Sequence, residues 1–552
     1  MNDKIKKVLL CSVFGPYGQD NEYGKLNPME LYQNQVTRTQ GPFSLRMFHR
    51  SWGLMMIQAN INSPCILLDF PTLERFIEEI RTQHYDIIGI SSIISNVFKV
   101  QKMCELIKQY QPNTGIVVGG HIANVAGLKE QIGADYVVKG DGIRWFRHYL
   151  GEDVNRPINH PITISGLNPR SAGVPVSGDV AAVIIPSVGC PLGCNFCSTS
   201  AMFGGKGKWI DFYQTGDELF SVMEQVAKSL KVRSFFMMDE NFLFHRARAL
   251  RLLELMEKNN KAWSIYVFTS AKVLQSYTMD QIVRLGISWV WMGLEGKDSR
   301  YDKLKGVDTF ELVQKLQSNG IRVLGSTIMA LEDHSPENID RVIEYAVKHD
   351  SDFHQFMLYT PNPGTQLYEE MSKAGVMKGR SECSPDKITG QTILPYKHPN
   401  FSDEQTAEIM IRAFNRDFEV NGPSIVRIAE TTLKGWLKYK NHLDSCVRNR
   451  FTWEARDLAT GYSALVGATK LYYKDNKVMH AKMEDLLQRL HAEFGWKSRL
   501  FSFVGGYWLL RKIRKEEKRL AEGFTYEPPT FYERNKAVID RPDIPICPHA
   551  VP

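Results

Sequence analysis

Apolar residues fall into one rhythm over the first two thirds of the chain and another after it. Short, nearly continuous apolar runs (residues 6–14, SPCILLDF, YDIIGISSI, TGIVVGGH) alternate with stretches of helical spacing at 52–60, 73–83 and 97–110. A short continuous run predicts a strand buried on both faces, and strands alternating with amphipathic helices predict an open parallel sheet. GLKEQIGADYVVKGDG adds a short helix and strand, so residues 1–150 are expected to form a doubly wound α/β domain. The stretch from Gly15 to Arg50 interrupts it: polar, rich in glycine and aromatics, and long for a βα loop. Residues 151–180, rich in Pro, Gly, Ser and Asn, read as a linker with scattered short strands.

The alternation then resumes. AAVIIPSVGC, RSFFMMDENFLF, WSIYVFTSA, SWVWMGLEG, RVLGSTIMAL and FHQFMLYTPNPGT read as strands, with helices at 246–260, 279–285, 309–318 and 336–349. These strands, alternating with helices, predict a second parallel α/β unit over residues 181–375. From about residue 376 the rhythm becomes helical. Ser402 is a candidate N-cap, with Gln405 completing a capping box. Residues 376–552 are expected to form a mainly helical domain that shapes the substrate pocket.

Length and composition add limits. At 552 residues the chain is too long for one core, and two or three domains are expected. A net charge of +7 is modest for this length, and no stacking-plus-basic module accompanies it, so no nucleic-acid partner is expected. Six of the nine cysteines (Cys11, Cys65, Cys104, Cys383, Cys446, Cys547) are scattered, which suits a reducing, cytoplasmic compartment rather than a disulfide framework. The N-terminus reads as a first strand rather than a signal peptide, and no apolar run reaches membrane-spanning length.

The other three cysteines, Cys190, Cys194 and Cys197, lie together in SVGCPLGCNFCSTS with spacing C-x3-C-x2-C. Three soft ligands suit a [4Fe-4S] cluster with one iron left open. A structural zinc site, or a closed four-ligand cluster, needs a fourth ligand, and none stands nearby in the sequence. The spacing strongly resembles that of the radical S-adenosylmethionine (SAM) enzymes, and residues 181–375 look like the partial (β/α)6 barrel of that family, which implies chemistry at the carboxyl ends of the strands. The resemblance extends to Asp239, Glu240 and Asn241, similar to the D-D/E-x-F strand end that lines the SAM pocket, and to Glu295, similar to a G-x-E-S/T-G element that contacts SAM. In that element Gly296 follows Glu295 directly, a departure from the pattern. Thr269 and Ser270 end the intervening strand, where ribose or substrate would lie. Phe196, between two cysteines, either shields the cluster, packs near adenine, or belongs to the core. LYTPNPGTQLYE resembles the P-x-P-G-T-x-L-Y turn of cobalamin-type members, with a structural role.

In the N-terminal sheet, the strand-end loops carry Ser91, Ser92 and Ser95, then Gly119, Gly120 and His121, then Gly140, Asp141 and Gly142. Paired glycines let a large flat ligand approach the backbone, and serines can bond its rim; such turns also occur without any ligand. The segment from IGISSI to VVKGDG is similar to the cobalamin-binding domain that precedes many radical SAM domains, where these loops line the corrin face. Asp141 stands where that family has Glu, and Ile143 replaces a second Glu. The D-x-H-x-x-G motif is absent, and His121 is not carried over as a cobalt ligand.

The resemblance implies a [4Fe-4S] cluster, SAM and cobalamin as cofactors, a flavodoxin- or ferredoxin-like electron donor, a small-molecule substrate and, first among outcomes, C-methylation of an inert carbon. Relatives also catalyse oxidation, cyclisation and rearrangement, with or without cobalamin. A last segment, GWKSRLFSFVGGYWLLRKIRKEEKRL, sets Phe501, Phe503, Tyr507 and Trp508 among Lys497, Arg499, Arg511, Lys512, Arg514 and Lys515, and LKGWLKYK around Trp436 is similar. Aromatic anchors in a basic helix suit peripheral contact with the inner face of a membrane and an apolar, lipid-like or isoprenoid substrate. A dimer or barrel-packing surface is the competing reading.

Overall fold

The computed structural model describes residues 5–17, 22–23, 30–176, 180–295, 304 and 306–539. Gly296 and Cys547 lie outside them. Strands β1 (Val8–Cys11), β2 (Cys65–Asp69), β3 (Ile87–Ser91), β4 (Gly115–Gly119) and β5 (Tyr136–Val137) run parallel in the order β2-β1-β3-β4-β5. The runs VLLC and CILLD are buried along their whole length because helices cover both faces. Leu9, Cys11, Ile66 and Leu68 pack into one core layer, and Val8, Leu10, Cys65 and Leu67 into the other. This order changes direction between β1 and β3, which leaves a crevice at the carboxyl ends of the strands.

The second sheet contains β6 (Ala182–Ile184), β7 (Ser234–Met237), β8 (Ser264–Phe268), β9 (Ile287–Gly293), β10 (Arg322–Met329) and β11 (Phe353–Leu358), parallel and in chain order. No pairing joins β11 to β6 among the described residues, so the barrel is partial. Alternate residues divide the two faces. Ile265, Val267, Val290 and Met292 enter the core beneath the helices, whereas Tyr266, Phe268, Trp289 and Trp291 are half-buried on the inner side.

Strand Arg46–Phe48, a late edge strand and the irregular stretch 376–401 were not foreseen, whereas the linker carries short strands as expected. Arg46–Phe48, from the long interrupting stretch, pairs with Leu167–Ser171, which pairs in turn with Val174–Pro175, so stretch and linker form one small antiparallel sheet. β12 (Phe531–Arg534) leaves the helical domain and adds antiparallel to β2, making the N-terminal sheet mixed. Residues 376–401 hold only an isolated bridge and one short 3-10 turn before the helix Asp403–Asn421 begins at the expected Ser402–Gln405 capping box.

The helices that follow close the amino-terminal mouth of the barrel. A Cβ on Gly435 would lie 2.7 Å from the Cα of Gly320, just before β10, so helix Ser424–Tyr439 meets the barrel backbone to backbone. Arg322 at the start of β10 pairs with Glu454 at 3.0 Å, and Arg450 donates to the carbonyls of Val283 and Ile287. Trp436 is half-buried in the helical domain, its indole donating to Glu493 at 2.8 Å. Among the described residues no helix is long and apolar enough to cross a membrane.

Candidate active site at the strand ends

Cys190 follows the strand Ser187–Gly189, which forms an antiparallel ribbon with Trp209–Asp211. The loop between turns at Gly193, whose φ is +61° and where a Cβ would meet the Lys206 backbone. Cys197 caps the helix Ser198–Met202, its sulfur accepting from the Ser200 N–H at 3.5 Å. All three thiols are half-buried. Burial first, then the neighbouring thiols and Glu240, push Cys190 up to about 12. Such crowding opposes three thiolates unless a cationic centre joins them, so the donor set fits an iron–sulfur cluster. No three His, Cys, Asp or Glu side chains converge on a single-ion site among the described residues. A cluster does not require that convergence, because each of its irons takes a different thiolate.

The strand ends beside this loop carry unsatisfied polar atoms. Asn241 accepts from the Thr269 hydroxyl at 3.0 Å and the Ser270 N–H at 3.1 Å, which turns its amide NH2 outward. That NH2, the Ser270 hydroxyl and one Glu240 oxygen are buried without a protein partner. Burial, reinforced by the charge of Asp239, raises Glu240 to about 8. Buried polar groups are normally paired, so three orphans at adjacent strand ends fit a polar ligand with donors and acceptors, as the amino acid and ribose parts of SAM would provide. Glu295 follows β9 in the left-handed region, with φ 45°, and is buried at the same end.

Asp239 is held by protein donors. One oxygen accepts from Ser187 at 2.5 Å and Arg248 at 2.6 Å, the other from the Asn241 N–H at 3.0 Å. Protein donors engage both oxygens, so Asp239 positions Asn241 and the strand entering the cysteine loop. Arg248 was missed because a buried arginine within a helical pattern gives no local signal of its partner. Phe196 packs edge-on to Tyr359 with centroids 6.2 Å apart and joins the core around Ile328 and Met329. The proline turn braces the same loop, the Leu367 N–H donating to the Asn195 carbonyl at 3.0 Å.

The carboxyl ends of the two sheets face each other across a cavity of about 330 Å³. Ser91, Gly119, Gly120, His121 and the Gly140–Gly142 turn line one side, and Thr199, Met202, Met238 and Glu240 the other. Ser92 and Ser95 do not reach it. Both are buried: Ser92 follows Ser91 on the opposite side of the strand end, its N–H donating to the Gly119 carbonyl at 3.1 Å, and Ser95 lies in the short 3-10 turn Ile94–Asn96. Gly120 must stay bare: a Cβ would lie 2.4 Å from the Ser92 carbonyl oxygen. His121 bonds Thr199 at 3.1 Å and Asn124 donates to the Ser198 carbonyl at 3.3 Å, which fixes the loop onto the cysteine-capped helix. Burial lowers His121 below its usual range. Asp141 caps the following helix through the Arg144 N–H at 2.9 Å. Trp52, Met56 and Ile57 also line the cavity, although the sequence marked them only as one more amphipathic helix. The bare glycine backbone and apolar wall fit a corrin lying flat between the sheets.

Two families match the chain: the B12 binding domain over residues 49–150 and the radical SAM superfamily over residues 184–346. An uncharacterised methyltransferase of Pyrococcus horikoshii is 23% identical over 372 residues, covering 60% of this chain and 78% of that protein. Bacteriochlorophyllide d C-12(1)-methyltransferase of Chlorobaculum tepidum is 29% identical over 195 residues, 34% of this chain and 42% of the relative. An anaerobic magnesium-protoporphyrin IX monomethyl ester cyclase of Rubrivivax gelatinosus is 22% identical over 53% of this chain and 60% of its own length. For these last two, the chain spans less than two thirds of the relative. Among solved structures, the radical SAM methyltransferase TsrM of Kitasatospora setae, with cobalamin and [4Fe-4S] cluster bound, shares the fold with TM-score 0.50 and 16% identity over 82% of this chain and 99% of that one.

Proposed function

We propose that this chain, a B12-binding domain joined to a radical SAM domain, methylates an inert carbon of a small, apolar, lipid-like or isoprenoid substrate. The observation that carries the reading is the shared cavity: the glycine loops of one sheet face the cysteine helix and Glu240 of the other across a single space. The cofactors supply the electron, the radical and the methyl group. The protein's residues supply placement. Cys190, Cys194 and Cys197 hold the cluster with one iron open, and Glu240, Asn241 and Ser270 offer polar atoms to SAM. Gly119, Gly120 and Gly140 admit the corrin, while Met202, Phe203 and Phe212 exclude water. A flavodoxin- or ferredoxin-like protein supplies electrons.

Incubation of the anaerobically prepared enzyme with methyl-deuterated SAM, reductant and an apolar extract tests the reading. A deuteromethylated product formed together with 5′-deoxyadenosine and S-adenosylhomocysteine supports it. The similarity to a cyclase favours a second reading, radical oxidation or cyclisation, which predicts 5′-deoxyadenosine and an unmethylated product.

Peripheral membrane contact, in a cytoplasmic protein, belongs to the same proposal. Trp496, Phe503 and Trp508 are 75%, 66% and 54% exposed, while Leu509, Leu510 and Ile513 of the same segment are buried. The helical segment thus turns its aromatic side outward, with the Lys512 ammonium 5.4 Å from the Trp508 ring centre. Co-sedimentation with phosphatidylglycerol vesicles is expected for the native chain and lost in the Phe503→Ser/Trp508→Ser variant. Absence of lipid-dependent pelleting of the native chain removes this part.

A further inference from the structure

A second cavity, of about 250 Å³, lies at the opposite end of the barrel. It opens among the first residues of the strands, Ser264, Arg322 and Phe353, which the helical domain covers. At about 3.3 Å per residue, the eight residues of β10 place this floor on the order of 20 Å from the strand ends that carry the cysteine loop. The two cavities share one face of the sheet: Phe236 lines the lower, and Met238 and Glu240, two and four residues on, line the upper.

The lower walls are mostly flat rings. Trp289 and Phe353 stack at 5.4 Å between centroids with an interplanar angle of 20°, and Trp291, Tyr266, Phe236 and Tyr32 surround them. The charged lining is already paired, Arg322 with Glu454 at 3.0 Å and Arg456 with Asp457 at 3.7 Å, so it presents no net charge. The phenols are not satisfied. Among the described residues, the hydroxyls of Tyr32, Tyr266 and Tyr462 have no hydrogen-bond partner. Tyrosines buried in the core are paired, as where Tyr277 donates to the Leu243 carbonyl at 2.6 Å. Tyr32, Tyr266 and Tyr462 are all half-buried and line the cavity, so their hydroxyls are open to a ligand that can pair with them. Tyr462 comes from a π-helical turn, Leu458–Tyr462, a form that recurs at functional sites.

We propose that this cavity binds a flat, uncharged ring bearing hydrogen-bonding substituents, the part of the substrate remote from the reacting carbon. The inference deepens the reading above and rests on it for the word substrate. The binding site itself stands on the rings, the paired charges and the free phenols.

The test uses 2-naphthol, titrated calorimetrically into the full-length chain with its cluster reconstituted. Saturable binding at a single site is expected. Leu324→Trp, which fills the cavity, should weaken binding by at least about tenfold. Tyr266→Phe, which keeps the ring and removes one hydroxyl, should weaken it by roughly five- to tenfold. The saturated analogue 2-decalol should bind less tightly than 2-naphthol. Lack of saturable binding, or affinity unchanged in the Tyr266→Phe chain, overturns the site even if Leu324→Trp fails to fold. SAM cleavage is measured on the same preparation. Naphthol binding without SAM cleavage refutes the proposed reaction and leaves the site standing; cleavage without naphthol binding refutes the site alone.

Discussion

Gly193→Ala, compared with Gly205→Ala, isolates what the cysteine loop requires sterically. Both glycines occupy positive φ, +61° and +86°. An alanine at either therefore meets a left-handed strain of about 1–2 kcal/mol. Only the contacts differ. A Cβ on Gly193 would lie 2.4 Å from the Lys206 Cα and 2.7 Å from its nitrogen, whereas one on Gly205 meets nothing within 4 Å. To clear ordinary contact the turn at Lys206 must retreat by about an ångström, and overpacking of this kind adds about 1–3 kcal/mol. Gly193 stands between two of the three thiols, so the displacement falls on the cluster's own ligands. The assay is iron and sulfide content, with the visible charge-transfer absorbance, after anaerobic reconstitution and a chelator challenge. Gly205→Ala should retain iron close to the native level. Gly193→Ala should hold its cluster on the order of ten- to a hundredfold less tightly. Equal retention by the two variants would refute the claim that close approach of Lys206 shapes the loop.

Other consequences follow from buried polar groups. Arg248→Met leaves Asp239 buried without its cation and should cost about 3–5 kcal/mol, read as a lower urea midpoint; a loss under about 1 kcal/mol would show that Asp239 does not depend on the pair. His160 accepts the Ile185 N–H at 2.9 Å through Nε2, and burial lowers its pKa from 6.5 to about 4. The unfolded chain therefore binds this proton first, so stability should be full above about pH 6.5 and fall by up to roughly 3 kcal/mol as pH drops toward 4. Melting curves across that window should flatten in His160→Gln, and an unchanged pH dependence would contradict the assignment. Cys194→Ala should lower iron content far more than Cys446→Ala, whose thiol lies outside the loop.

Both sheets were legible because their strands are continuous apolar runs between helical stretches, and helices such as Leu73–Thr82 and Thr309–Ser318 fall where the spacing put them. β12 was not legible: FYER is short and polar, and it becomes a strand only because β2 offers an unpaired edge. The cysteine loop and the glycine loops announced themselves by local spacing. The engagement of Asp239 by Arg248, the withdrawal of Ser92 and Ser95, and the ring-lined lower cavity depend on which helix packs where. The inward rings of β8 and β9 alternate with core residues, yet alternation alone does not say whether the inner face meets another layer or encloses a space.

The most direct test of a common cofactor chamber is the metal and cobalamin content of the full chain, prepared anaerobically with cobalamin supplied, followed by its spectrum on adding SAM and reductant. About four irons, as a [4Fe-4S] cluster requires, together with about one cobalamin per chain and cobalt bands that change with SAM, are predicted. Four irons with no retained cobalamin would contradict the account and leave the glycine loops of the N-terminal sheet as scaffold.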